Sequence, residues 1–419
     1  MLTRVLLKNF KLHAETEIQF APITVFIGPN NSGKSSVFQA LLALRQAAER
    51  NDAELFRPLL AEQIVELGEF KDVVRAGEGE ISISFSGMLP IEQARVAQVT
   101  IEVEVHVQEN RLSSYTAHLG LSPDRYDWTH ETPGYRELSI PIAFGALTVR
   151  LEPQRSFGFI AGTVTLTGQL PSRTWAELMS FGQKLASAPT TFLRSLHPVF
   201  PLRGFEQWGY PLPDAAHVDV EKLTLAERAA AIVSIVAYND AALQRLSDWL
   251  EALLGIRLKK TLLPPKRIAI RAEATGLKGE DIPFTSEGTG ANQMPFILLP
   301  IGLASPTDTM MISEPEAHLH PKAQTDLTRL LLTIHKKENR QFAIETHSEH
   351  VLHAFLHAVA SGELEKDSLA IYYFENDNGV AKVRRLEIDE KGRVAGGLPG
   401  FFDQSLDELT EYLDALRKP

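Results

Sequence analysis

Two periodicities share the chain, a short apolar alternation and a longer helical spacing, and the order in which they occur predicts its elements. Residues 3–9, 17–20 and 23–27 (ITVFI) are short β-rich runs. The last leads into GPNNSGKSS and then VFQALLALRQAAER, which reads as strand, glycine loop and helix. From Ile81 to about Gly168 the alternation in ISISF, TIEVEVHV, ALTVRL and GTVTLTG predicts an antiparallel sheet. From about Arg173 to Gly255 the pattern turns helical, most clearly in LTLAERAAAIVSIVAYNDAALQRLSDWLEALLG, with PLRGFEQWGYPLP as a proline-rich break before it. After RIAIRAEA come three strand-to-helix units: PFTSEGTGANQMPFILLPIGLA, TMMISEPEAHLHPKAQTDLTRLLLTIHKK and RQFAIETHSEHVLHAFLHAVASGEL. This alternation predicts a parallel sheet covered on both faces. A strand pair, LAIYYFEND and VAKVRRLEID, and a short helix, DELTEYLDALRK, complete the pattern.

Composition narrows the class. With 44% hydrophobic and 23% charged residues the chain is folded and globular, not disordered. No apolar run reaches the roughly 18 residues of a membrane helix. The opening MLTRVLLKNF turns polar too soon for a signal peptide, so the expected location is the cytoplasm and no membrane partner is expected. The absence of cysteine removes disulfides, thiolate metal sites and cysteine nucleophiles. A net charge of −11 argues against a surface that coats nucleic acid non-specifically. The densest basic stretch, Arg257 to Arg271 (RLKKTLLPPKRIAIR), reads either as a local DNA contact or as a solvated strand pair broken at Pro264 and Pro265.

The glycine loop carries the first chemistry. Gly28-Pro29-Asn30-Asn31-Ser32-Gly33-Lys34-Ser35 fits GxxxxGK[ST] between an apolar strand and a helix, with Ser36 continuing into the helix. Its backbone N–H groups would cradle phosphates, Lys34 would reach the β and γ oxygens, and Ser35 would ligate magnesium. TMMIS followed by Glu314, Pro315 and Glu316 supplies an apolar strand ending in acid, where one carboxylate can orient the attacking water. By itself an acidic turn opening a helix is also favourable there; the phosphate loop selects the catalytic reading. His347, in the THS that follows QFAIE, falls at the end of the next strand, on the edge where parallel sheets bind ligands. Ser286, Gly288 and Gly290 open a long helix with small residues and free N–H groups, a second anion-binding end or a plain cap. His318 and His320, or His347, His350, His353 and His357, have spacings that a metal could use, but motif and helical packing account for them.

In this order the four motifs resemble the ABC-type ATPases, the branch shared by SMC proteins, DNA-repair heads and the OLD-like family. LLKNFKLHAETEIQFAPITVFIGPNNSGKSS is similar to the opening of that branch. EPEAHLHPKAQ and IETHSEHVL resemble its bacterial AAA-type subgroup, which includes ATPase subunits of phage-defence systems such as Septu, PARIS and Gabija. The resemblance spans roughly residues 1–75 and 280–390. It implies an α/β P-loop NTPase head with a mixed sheet, built from an N-terminal lobe (1–75) and a C-terminal lobe (256–395). Residues 76–255 would be an inserted β and helical region, and 396–419 a helical tail. It also implies a homodimer in which two heads sandwich two ATP molecules, each held by the phosphate loop of one chain and Ser286, Gly288 and Gly290 of the other.

Three departures from the family pattern stand out. Ser313 takes the place usually held by Asp or Glu, leaving Ser35 and Ser313 as the expected magnesium ligands and Glu314 and His347 as the expected catalytic pair. No glutamine can be assigned to the loop that senses the γ-phosphate, although Gln63 lies in the right region. The Toprim nuclease domain that some OLD-like proteins carry after the final strand pair is expected to be missing, so any nuclease is expected to be another chain. The resulting reading is a slow ATPase, using ATP and Mg2+, that dimerises and regulates or scaffolds a separate effector in antiviral defence. Its alternatives are a DNA-repair or DNA-structure clamp and an ATP-binding scaffold with negligible hydrolysis.

Overall fold

The computed structural model describes residues 1–50, 54–56, 64–77, 79–93, 96–121, 124–130, 136–142, 145–151, 164–168, 180, 184, 187–201, 203–212, 225–274 and 281–397. Strands β1 (Leu2–Phe10) and β2 (His13–Gln19) form a hairpin, and β3 (Ile23–Ile27) follows. Then come β4 (Ile81–Gln93), β5 (Val96–Gln108), β6 (Arg111–Leu121) and β7 (Asp124–His130), which continue the hairpin into a six-stranded antiparallel sheet of order β2-β1-β4-β5-β6-β7. The alternation expected over 81–168 is therefore antiparallel throughout but divided between two sheets. The remaining strands, β8 (Arg136–Ile142), β9 (Gly145–Leu151) and β10 (Val164–Gly168), pair separately.

The sheet that positions the site is mixed. It contains β11 (Leu196–Val199), β16 (Thr309–Ser313), β17 (Gln341–Glu345), β18 (Leu369–Asp377) and β19 (Val380–Leu386), in the order β11-β16-β17-β3-β18-β19. All neighbours are parallel except β18 and β19. A smaller sheet joins β12 (Tyr210–Pro211), β13 (Ile256–Leu263), β14 (Arg267–Ala274) and β15 (Asp281–Pro283). Residues 196–199 fall in the stretch read as helical, yet they form the edge of the mixed sheet. Pro198 is tolerated there because an edge strand need not donate every ladder hydrogen bond.

Side chains of the mixed sheet alternate between two cores. Phe26, Met311, Ala343, Ala370, Tyr372 and Phe374 face one apolar cluster, together with α1 (Lys34–Arg50) and the antiparallel sheet. Ile23, Val25, Ile27, Met310, Ile312, Phe342 and Ile344 face the other. The second cluster is covered by α4 (Leu225–Tyr238), α5 (Asp240–Leu254), α6 (Thr289–Leu303), α7 (Pro321–Glu338) and α8 (Glu349–Ala360), while the short α2 (Phe70–Val73) and α3 (Ala188–Arg194) lie on the first side. Burial on both faces explains why ITVFI, TMMIS and QFAIE read as nearly continuous apolar runs. Among the described residues no helix is long and apolar enough to cross a membrane. The expected helix at 407–418 and most of the tail from 396, like Gln63, lie outside the described residues.

Candidate nucleotide site

Strands β3, β16 and β17 run parallel, so their C-terminal ends share one edge. The loop leaving β3 has Gly28 at φ 137° and Gly33 at φ 96°, conformations open to glycine at no steric cost. A Cβ on Gly28 would also lie 2.2 Å from the Phe374 carbonyl oxygen. Lys34 is buried at the start of α1 and folds its ammonium back onto the loop, donating to the carbonyls of Gly28 (2.9 Å) and Pro29 (2.7 Å). Burial lowers its pKa, and the nearby carboxylates of Glu345, Glu314 and Glu316 oppose that shift. His13, fully buried, braces the loop between the Thr16 hydroxyl (2.9 Å) and the Gly33 carbonyl (3.0 Å). Burial pushes its pKa down to about 4, so it braces the loop as a neutral ring.

Asn30, Asn31, Ser32, Gly33, Lys34, Ser35 and Ser36 line a cleft of about 690 Å3. Glu314, Glu345 and His347 line it too, and Lys11, Leu12, Val74 and Arg75 contribute from the turn of the first hairpin and the segment after α2. The volume falls within the roughly 300–1,000 Å3 of small-molecule sites. Sequence reasoning missed these last four residues, because only folding brings the hairpin beside the loop.

The chain turns sharply after β16. Glu314 takes φ 48°, and its N–H donates to the Glu345 carbonyl at 2.8 Å. Its carboxylate lies 3.7 Å from His347 Nε2. Burial, aided by Lys34, holds His347 below the usual imidazole range, so the ring is neutral at pH 7. Glu316 is turned elsewhere: it is buried, its Oε1 accepts the His347 N–H at 2.8 Å, and burial raises its pKa.

Ser35 and Ser313 meet at a residue absent from the sequence expectations. Glu345, last in β17, accepts from Ser35 Oγ at 2.5 Å on Oε1 and from Ser313 Oγ at 3.3 Å on Oε2. It is 4% exposed, and burial raises its pKa against the opposing effects of Ser35 and Lys34. The available signal was a carboxylate closing the apolar run QFAIE.

Arg203, from the proline-rich break, was missed as well. It is buried, and its guanidinium donates to the carbonyls of Ser313 (2.9 Å), Glu314 (2.5 Å) and Phe200 and to Gln293 Oε1 (3.1 Å). Burial lowers its pKa to about 10, which leaves it charged at neutral pH. Gln293, on α6, in turn donates to the Ala317 carbonyl. Together they fix the backbone that aims Glu314. Arg203→Met keeps bulk but strands buried carbonyls, so it should cost at least about 2 kcal/mol of stability. Denaturant unfolding measures this, and an unchanged midpoint would contradict the bracing role.

Ser286, Gly288 and Gly290 do not line the cleft. Ser286 and Gly288 are exposed, Gly288 caps α6, and Gly290 is buried so tightly that a Cβ would lie 2.5 Å from the His318 carbonyl oxygen. The cleft itself suits a nucleoside triphosphate with a hard cation: an ammonium and a glycine loop for phosphates, and oxygen donors from Ser35 and Glu345.

A family model described as "AAA domain, putative AbiEii toxin, Type IV TA system" matches residues 23–353, which include all four motifs. A second, a protein family of unknown function (DUF3696), matches residues 364–411. Among solved structures the chain is similar to an SMC head bound to the C-winged helix domain of ScpA, at 14% identity and a TM-score of 0.51, over 93% of this chain and 98% of that one. It is also similar to an Smc head domain with an extended coiled coil bound to the C-terminal domain of ScpA derived from Pyrococcus furiosus, at 13% identity and a TM-score of 0.49, over 100% and 99%. The first likeness shows the fold, an α/β head with a mixed sheet. No curated protein matches the chain by sequence.

Proposed function

The chain belongs to this AAA-domain family, and on that premise we propose that it binds ATP with Mg2+, dimerises on it and hydrolyses it slowly to control a separate effector, a nuclease, in antiviral defence. The observation that carries the ATPase reading is the cleft, where Lys34 and Ser35 face Glu314, Glu345 and His347 across the ends of three parallel strands. Lys34 and the loop amides would bind the phosphates, Glu314 would orient the attacking water, and neutral His347 would donate one hydrogen bond to the γ-phosphate. Glu316 is committed to the His347 backbone, which favours Glu314 as the base.

Dimerisation is supported by what the cleft lacks from its own chain. The exposed Ser286 and Gly288 lie outside it, as residues that complete a partner's site would. Ser286→Arg should therefore block ATP-driven association while leaving ATP affinity of the single chain within about twofold. Light scattering with and without ATP reads the first effect, and nucleotide titration the second; dimers that form normally would contradict the role across the interface.

The effector and defence assignments rest on the resemblance of EPEAHLHPKAQ and IETHSEHVL to defence ATPases, and on a family description that names a toxin of a toxin–antitoxin system. The SMC heads of similar fold, described as bound to ScpA domains, are a precedent for a head that engages a separate protein. The DNA clamp is less well supported. Its basic stretch is neutralised internally, Arg257 by Glu251 (2.8 Å), Lys259 by Glu273 (2.9 Å), Lys260 by Asp240 (2.5 Å) and Arg271 by Asp281 (2.9 Å), while Arg267 donates to the Gly209 carbonyl. ATP-dependent DNA binding that weakens steeply with salt would restore the clamp.

A further inference from the structure

We propose that Glu345 supplies the carboxylate that β16 lacks, so that the acid serving the nucleotide's divalent cation comes from the neighbouring strand. The proposal rests on the ATP reading above and assigns a residue within it. In P-loop NTPases the cation is held by the loop serine or threonine and by an acid on a neighbouring strand. Ser313, at the end of β16, has no charge to offer.

Strand geometry delivers the replacement. Ser313 and Glu345 are register partners across the parallel pair β16 and β17. Side chains two apart share a face, so Ser313 follows Met311 and Glu345 follows Ala343, and both of those point into the core beneath α1. The two strand ends thus face the first turn of α1, where Ser35 stands. Because β17 lies between β16 and β3 in the sheet, Glu345 starts one strand closer to the phosphate loop than Ser313 does. Its longer side chain completes the reach, placing Oε1 2.5 Å from Ser35 Oγ.

The same geometry explains the serine. A carboxylate at 313 would confront Glu345 with a like charge, whereas the hydroxyl donates to Oε2 at 3.3 Å and steadies it. The charge is only partly matched: no lysine, arginine or histidine among the described residues forms a direct ion pair with Glu345, and two hydroxyls and the more distant Lys34 only partly offset burying a carboxylate. A hard cation that accepts oxygen ligands supplies the rest.

The test uses the full-length chain, Mn2+ as a paramagnetic probe and a non-hydrolysable ATP analogue. Analogue binding is measured in EDTA, and Mn2+ uptake by the analogue complex is followed by electron paramagnetic resonance. Glu345→Gln keeps shape and can still accept from the serines, so analogue binding in EDTA should match wild type. Half-saturating Mn2+ should rise by roughly 10- to 100-fold. Adding Ser313→Asp to Glu345→Gln moves the acid back to β16 and should recover most of that loss. Wild-type Mn2+ affinity in Glu345→Gln would overturn the proposal, as would failure of the double variant to recover. Loss of analogue binding in EDTA by Glu345→Gln would make Glu345 a support of the loop and overturn it too. If wild type binds no analogue under either condition, the ATP reading itself has failed.

Discussion

Lys34→Ala is expected to abolish ATP binding at any practical concentration, an affinity loss of at least roughly 100-fold. The buried ammonium is the one lysine or arginine of the loop itself, and it sits where the triphosphate's charge must be offset. Truncating one partner of a buried, hydrogen-bonded charge pair costs about 2–5 kcal/mol, and each 1.4 kcal/mol is tenfold in affinity. Lys34 also donates to the carbonyls of Gly28 and Pro29, so its loss loosens the cradle as well as its charge. The fold should survive, because Gly28 and His13 hold the loop from the other side. Fluorescence titration with an ATP analogue checks this, and undiminished affinity would remove the phosphate assignment.

Glu314→Gln is expected to separate binding from chemistry. The amide retains the shape and the left-handed turn but cannot take a proton, so turnover should fall by roughly 100-fold or more. ATP affinity should persist, and the ATP-bound dimer should accumulate. Glu316→Gln serves as the internal comparison, since that carboxyl is buried and engaged with the His347 N–H. Normal turnover in Glu314→Gln together with loss in Glu316→Gln would assign the base to the second acid.

What was legible in the sequence was local. The strand, loop and helix around Lys34 announce themselves because the glycines, lysine and serine act within a few residues of one another. The acidic turn and His347 were legible because parallel strands end on one edge. Glu345 was not, although it stands two residues before His347. Its meaning depends on β17 lying between β16 and β3, and sheet order is set by crossovers that no local pattern records. Arg203 was hidden for a similar reason, since its acceptors are backbone carbonyls of Ser313 and Glu314, distant in sequence and anonymous as residue types. The strand at 196–199 escaped because four residues containing a proline carry no periodicity; only pairing with β16 makes them a strand.

Phosphate release from ATP with Mg2+ by the purified chain, run beside Lys34→Ala, tests the ATPase claim most directly. The cleft predicts a slow rate that is saturable in ATP and absent from the variant. A wild-type rate indistinguishable from that of Lys34→Ala, with ATP still bound, would contradict it and leave a head that binds ATP without using it.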